Sequence, residues 1–94
     1  MFKVFYTSGF EKDIKKLDRK TILKIKPIIA KIAQSPYDGQ FLRGKFKNYR
    51  KWKIKFKNIS YRIFYRIYPK DKKILLILVG TRENIYKELR KRTK

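Results

Sequence analysis

From Trp52 to Lys57 apolar and cationic residues alternate one for one, Trp52, Ile54 and Phe56 against Lys53, Lys55 and Lys57. Successive side chains of a strand point to opposite faces. The segment therefore predicts a strand with one apolar face for a core and one cationic face for something else. Asn58, Ile59 and Ser60 interrupt the pattern as a short connection. It resumes from Tyr61, with Ile63, Tyr65 and Ile67 opposed to Arg62, Phe64 and Arg66. The stretch from Tyr49 to Ile67 reads as a β-hairpin, with Trp52, Phe56, Ile63 and Tyr65 in the core.

The same reasoning places the other elements. Phe2, Val4 and Tyr6 alternate with Lys3 and Phe5 and predict a short strand. Ser8 and Glu11 have the spacing of a capping box, and a helix follows to about Leu17 with Phe10, Ile14 and Leu17 as its buried stripe. Asp18 is placed to cap a second helix, in which Ile22, Ile25, Ile29 and Ile32 recur at helical spacing. Pro27 conflicts with that helix, because it removes the bond to the Leu23 carbonyl and costs about 3 kcal/mol in a helix interior. Ser35 and Pro36 end the helix, and Tyr37 to Gly39 turn the chain. Phe41 to Asn48 is an approach segment to the hairpin. Tyr68 to Lys72 is a polar turn, Ile74 to Val79 is an apolar run suited to a central strand buried on both faces, and Asn84 to about Lys91 is a C-terminal helix with a basic tail. The order predicts an α+β domain over residues 1–94: an N-terminal strand, a two-helix hairpin, a three-stranded antiparallel meander and a short C-terminal helix.

Charge changes the picture. The chain carries 28 Lys and Arg against 7 Asp and Glu, a net charge of +21. That exceeds what solubility requires and opposes compaction by self-repulsion. An anionic partner would relieve it, nucleic acid first, since cations bind phosphates and the 16% of aromatic residues can stack bases. Residues 1–36 hold nine basic and three acidic side chains, whereas 37–94 hold nineteen and four, so the partner is expected at the C-terminal part. The opening residues lack the apolar core of a signal peptide and no apolar run reaches the length of a membrane span, which predicts a cytoplasmic protein that does not enter a membrane.

Cys and His are both absent, which removes the commonest nucleophiles, general bases and zinc ligands. The carboxylates Glu11, Asp13, Asp18, Asp38, Asp71, Glu83 and Glu88 are scattered without metal-ligand spacing, so neither a metal nor another cofactor is expected. Lys, Arg and Tyr suffice for one reaction class, cleavage of RNA by its own 2′-hydroxyl. Nucleophile and phosphate already share a molecule there, and the enzyme has only to align them and stabilise charge. Arg62 and Arg82 suit bidentate phosphate contacts. A lysine among other cations gives up its proton more readily, which makes Lys53 and Lys55 candidate bases, and Tyr86 can stack on a base or protonate the leaving oxygen. On the residues alone, simple nucleic-acid binding remains the stronger alternative.

Leu42 to Gly44 (LRG), Trp52 to Tyr65 (WKIKFKNISYRIFY) and Val79 to Tyr86 (VGTRENIY), in this order and at these distances, resemble the RelE-type toxins of the RelE/ParE toxin–antitoxin superfamily. The resemblance implies a ribosome-dependent mRNA endonuclease that cuts in the decoding site without metal and is silenced by an acidic antitoxin. It implies catalytic roles for Lys53, Lys55, Arg62, Arg82 and Tyr86, and a further basic contact from Arg43; Lys45, Lys47, Lys57 and Arg66 are expected to contact RNA on their charge alone, Lys45 to Lys51 being where the chain departs from the family pattern. The implied partners are the ribosome with mRNA, the antitoxin, and operator DNA only as the toxin–antitoxin pair. Two alternatives share the scaffold: a non-catalytic nucleic-acid-binding or gyrase-poisoning toxin of ParE type, and a degenerate toxin that only binds its antitoxin. The tail residues Arg90, Lys91, Arg92 and Lys94 are expected to meet phosphate or solvent.

Overall fold

The computed structural model of the protein describes residues 1–81 and 85–93. The expectations placed on Arg82 and Lys94 lie outside the described residues. The elements are β1 (Lys3–Tyr6), α1 (Ser8–Lys15), α2 (Arg19–Gln34), β2 (Gln40–Phe41), β3 (Tyr49–Phe56), β4 (Ile59–Tyr68), β5 (Lys73–Thr81) and α3 (Ile85–Arg92), with short 3₁₀ turns at Pro36–Asp38 and Gly44–Phe46. They form a five-stranded sheet in the order β1-β5-β4-β3-β2. β1 runs parallel to β5 and the other neighbours are antiparallel.

The expected meander is present as β3, β4 and β5, but the sheet has one strand more than expected. Gln40 and Phe41, in and just before the approach segment, pair with Lys51 and Arg50. Two residues are too few to show an alternation, so β2 is set by tertiary contacts instead. Arg50 fastens it, Nη1 donating to the carbonyls of Tyr37 at 3.0 Å and Gly39 at 2.9 Å. Glycine is required at 39, where a Cβ would stand 1.9 Å from the Tyr65 hydroxyl.

The helix starts and the hairpin turn also differ in detail. Thr7, not Ser8, caps α1, its Oγ accepting from the Phe10 amide at 3.0 Å; Ser8 is already helical, so the expected capping box is not formed. Asp18 caps α2 as expected, accepting from the Thr21 amide at 2.8 Å, and hydrogen bonding from the Thr21 side chain and then from its amide holds the carboxyl below the ordinary range. α2 runs through Pro27. Pro27 and Leu23 lie on the exposed side, where water can reach the carbonyl that proline leaves unbonded. The β3–β4 turn is only Lys57 and Asn58, both with positive φ (52° and 64°), the combination that matches strand twist in a two-residue hairpin. Ile59 and Ser60 already belong to β4.

Two cores follow from the alternation. On one sheet face Ile54, Ile63, Tyr65, Ile74 and Leu76 pack against Phe10, Ile25 and Ile32 of the helices, with Trp52 and Phe56 half-buried at the margin. On the other, Phe64, Ile77 and Leu78 pack against Leu42 and against Ile85 and Leu89 of α3. A fully buried side chain of this size contributes roughly 1.5–3 kcal/mol. α3 has a second attachment. Arg92 donates to both oxygens of Asp13, at 2.6 and 2.9 Å, and to the Ile77 carbonyl at 3.0 Å, while Glu88 accepts from its Nε at 2.9 Å. The Val79 amide completes the Asp13 carboxylate. Arg92 is therefore a structural tie of α3, not a free tail cation as the sequence suggested.

Candidate functional site

The face of the sheet that carries α3 holds the cationic residues of β3 and β4 in register. Lys53 lies directly opposite Arg62, and Arg62 in turn opposite Gly80 of β5. Like charges facing each other across a ladder are destabilising, and Gly80 adds no side chain to separate them. Arg62 is half-buried, and its Nε and Nη1 are shielded from solvent with no acceptor among the described residues. A buried guanidinium N–H without a partner costs on the order of 1–3 kcal/mol or more. Such an arrangement is suited to receive an anionic oxygen from outside.

One row along, Lys51 faces Phe64, and this row carries Tyr86. The Tyr86 ring meets Phe64 edge-on at 5.6 Å and leans on Phe46 at 6.4 Å. Lys51 Nζ donates to Tyr86 Oη at 2.5 Å and lies 5.2 Å from the ring centroid. Lys51 is only 9% exposed, whereas Tyr86 is 38% exposed, so the phenol reaches solvent with an ammonium behind it. Because the ammonium donates to the oxygen, the phenolic proton points elsewhere. Phe64 supports this ring and packs beneath α3.

The chain belongs to the ParE-like toxins of type II bacterial toxin–antitoxin systems. The family's sequence profile matches residues 4–90. In fold the toxin is similar to RelE of E. coli, as an arginine-to-alanine double mutant in the free state, at a TM-score of 0.77 and 24% identity over 99% of this chain and 98% of that one. It is similar to a chain of the intact E. coli RelBE toxin–antitoxin complex, at 0.73 and 22% over 88% and 99%. It is likewise similar to a chain of the RelBE2 toxin–antitoxin complex of Mycobacterium tuberculosis, at 0.74 and 19% over 86% and 98%. No curated protein sequence matches the toxin.

Of the residues singled out from the sequence of the toxin, Lys53, Arg62 and Tyr86 are brought to one face, and Lys55, exposed and opposite Ser60, extends it. Arg43, Lys45 and Lys47 are exposed on and beside the Gly44–Phe46 turn, whose Phe46 touches Tyr86. Lys57 and Arg66 lie apart from this central group. Lys57 occupies the hairpin turn, over the Phe56 ring at 5.4 Å, and does not share the face of Lys53 and Lys55. Arg66 stands two rows beyond Arg62, between the rings of Tyr49 and Tyr68.

Lys51 was missed, although it is the lysine most intimately joined to Tyr86. The alternation itself contained the signal, since Lys51 has the parity of Lys53 and Lys55. A separate concavity of about 270 Å³ between the helices is lined mainly by apolar side chains, Phe10, Ile14, Ile22 and Ile29 among them. Among the described residues no carboxylates are grouped as a metal site requires, and no helix is long and apolar enough to cross a membrane.

Proposed function

We propose that this toxin is a ribosome-dependent mRNA endonuclease acting by attack of the RNA 2′-hydroxyl on the adjacent phosphate. The observation that carries the reading is Arg62, a shielded guanidinium without an acceptor among the described residues, facing Lys53 and flanked by the Lys51–Tyr86 pair. In this scheme Arg62 holds the non-bridging phosphate oxygens and the charge that grows on them in the transition state. Lys53, Lys55 and Tyr86 are the groups available to move protons: the 2′-hydroxyl loses one, its oxygen bonds to phosphorus, the bond to the 5′-oxygen breaks, and that oxygen receives one. The products are a 2′,3′-cyclic phosphate and a free 5′-hydroxyl. Tyr86 fits the donor role, because Lys51 stabilises negative charge appearing on its oxygen as the proton departs. Arg82 is assigned to the phosphate beside Arg62 on the resemblance alone.

An acidic antitoxin is the proposed natural inhibitor, placed over the same face, where its carboxylates would satisfy the groups that otherwise await phosphate. The RelE chains of similar fold occur in complexes with antitoxins. The pair, not the toxin alone, is the species expected on operator DNA.

The family name favours a second reading, a gyrase poison on the same scaffold. One experiment separates the two. Ribosomes programmed with a defined message receive wild type or Arg62→Gln, the RNA is read by primer extension, and DNA supercoiling by gyrase is assayed in parallel. Cleavage in the decoding site by wild type alone, with gyrase unaffected, is expected. An intact message with gyrase inhibited would replace the nuclease reading by the other.

A further inference from the structure

At the end of the α3-bearing face away from Lys53 and Arg62, cations and aromatic rings alternate across four strands. Arg66 lies 5.6 Å from the ring of Tyr49 and 5.0 Å from that of Tyr68, and Lys73 lies 5.2 Å from Tyr68 and 5.8 Å from Phe5. The register explains the row: Tyr49 is opposite Arg66, Tyr68 is opposite Lys73, and Phe5 is one step beyond on β1, opposite Leu75. Phe5 is 48% exposed, and the other four are half-buried. Among the described residues neither cation is paired with a carboxylate.

We propose that this row is a track for single-stranded RNA, engaging nucleotides of the message that flank the scissile phosphate. Resting on the nuclease reading, it extends the site along the strand. Burying five rings and cations in a compact core would be ordinary packing, but here the row ends in an open phenyl group on the edge strand. Exposed rings and guanidinium planes stack bases of any identity, while the neighbouring ammonium and guanidinium groups take the phosphates. The chain's charge of +21 favours a polyanion. The Tyr49–Arg66 pair is four residues along β3 from Lys53, about 13 Å at the rise of a strand, with Phe46 and Tyr86 between. A strand leaving the cationic row would therefore meet rings and cations by turns as far as Phe5.

The test measures binding without cleavage. A short single-stranded 2′-O-methyl RNA, which has no free 2′-hydroxyl, carries 2-aminopurine and is titrated with wild type, Tyr68→Leu and Phe5→Leu, all checked for unchanged thermal unfolding. Inorganic polyphosphate, poly-glutamate and a duplex of the same sequence are the comparison ligands. Wild type is expected to bind the single strand tighter than the duplex and to change the fluorescence on stacking. Each variant should weaken that binding by about tenfold and leave polyphosphate binding unchanged. Equal binding of the oligonucleotide by all three proteins, with no fluorescence change, would overturn the proposal. So would tighter binding of poly-glutamate that the variants lose, which would assign the row to an acidic protein. Failure of cleavage on ribosomes, with stacking intact, would contradict the nuclease reading and leave the track in place.

Discussion

The Lys51 ammonium donates to the Tyr86 hydroxyl at 2.5 Å across thirty-five residues of sequence, joining the middle of β3 to the first turn of α3. If Tyr86 supplies the proton to the leaving oxygen, Lys51 positions it and supports the charge left behind. Tyr86→Phe should lower single-turnover cleavage by about a hundredfold or more, the size of a general-acid contribution. Lys51→Met should lower it by about tenfold, and the double variant should match Tyr86→Phe, because the two residues act as a unit. Additive losses would show that Lys51 acts independently of the phenol. Lys51→Arg, retaining a cation, should recover part of the rate.

Arg62 and Lys53 face each other with no anion between them among the described residues, so the site carries a cost when empty. Arg62→Leu removes the repulsion and the unpaired buried N–H groups. It should stabilise the toxin by about 1 kcal/mol, a rise in Tm of roughly 4–8 °C for a domain of this size, while abolishing cleavage. Loss of both stability and activity would mean that Arg62 is held by the fold and not reserved for a ligand.

Asp13 is 8% exposed and accepts from Arg92 and from the Val79 amide. Asp13→Ala would strand the Arg92 guanidinium and an amide, at a cost of about 3 kcal/mol, readable by urea denaturation. Hydrogen exchange should accelerate first in α3, and cleavage should fall with it, since α3 carries Tyr86.

Tyr65 is fully buried, its hydroxyl donating to the Pro36 carbonyl at 2.6 Å. Burial pushes its pKa up to about 12, above the value of about 10 in an unfolded chain. The unfolded state therefore loses the proton first as pH rises. The contribution of Tyr65 is fully present below about pH 10, declines between about 10 and 12, and amounts to roughly 2–3 kcal/mol. Tyr65→Phe should be slightly less stable at neutral pH, through the lost hydrogen bond, and should flatten this alkaline decline in a pH series of denaturant midpoints.

The alternation of Trp52, Ile54 and Phe56 with Lys53 and Lys55 was enough to assign both faces of β3, and the spacing of Ile25, Ile29 and Ile32 was enough for α2, because those patterns are local. The features that escaped are not. Asp13 and Arg92 are seventy-nine residues apart, and nothing near either marks the other as its partner. Lys51 looks like any cation of a basic strand until α3 folds over it. β2 exists because Gln40 and Phe41 find β3, and the Lys57–Asn58 turn lacks the glycine that usually announces a two-residue hairpin. In the candidate site, Arg62, Lys53 and Tyr86 are proposed on chemistry and resemblance, whereas the relation between Lys51 and Tyr86 required the fold.

The most direct measurement is the chemistry of the cut ends. Wild-type toxin is incubated in EDTA with programmed ribosomes, on a message made with ribose throughout and on one with a single 2′-deoxynucleotide 5′ to the mapped scissile phosphate. Cleavage of the first to a 2′,3′-cyclic phosphate and a 5′-hydroxyl, with the second left intact, is the expected result. Cleavage of both, or ends bearing a 5′-phosphate and a 3′-hydroxyl, would contradict attack by the RNA's own hydroxyl and with it the role given to the Arg62 face.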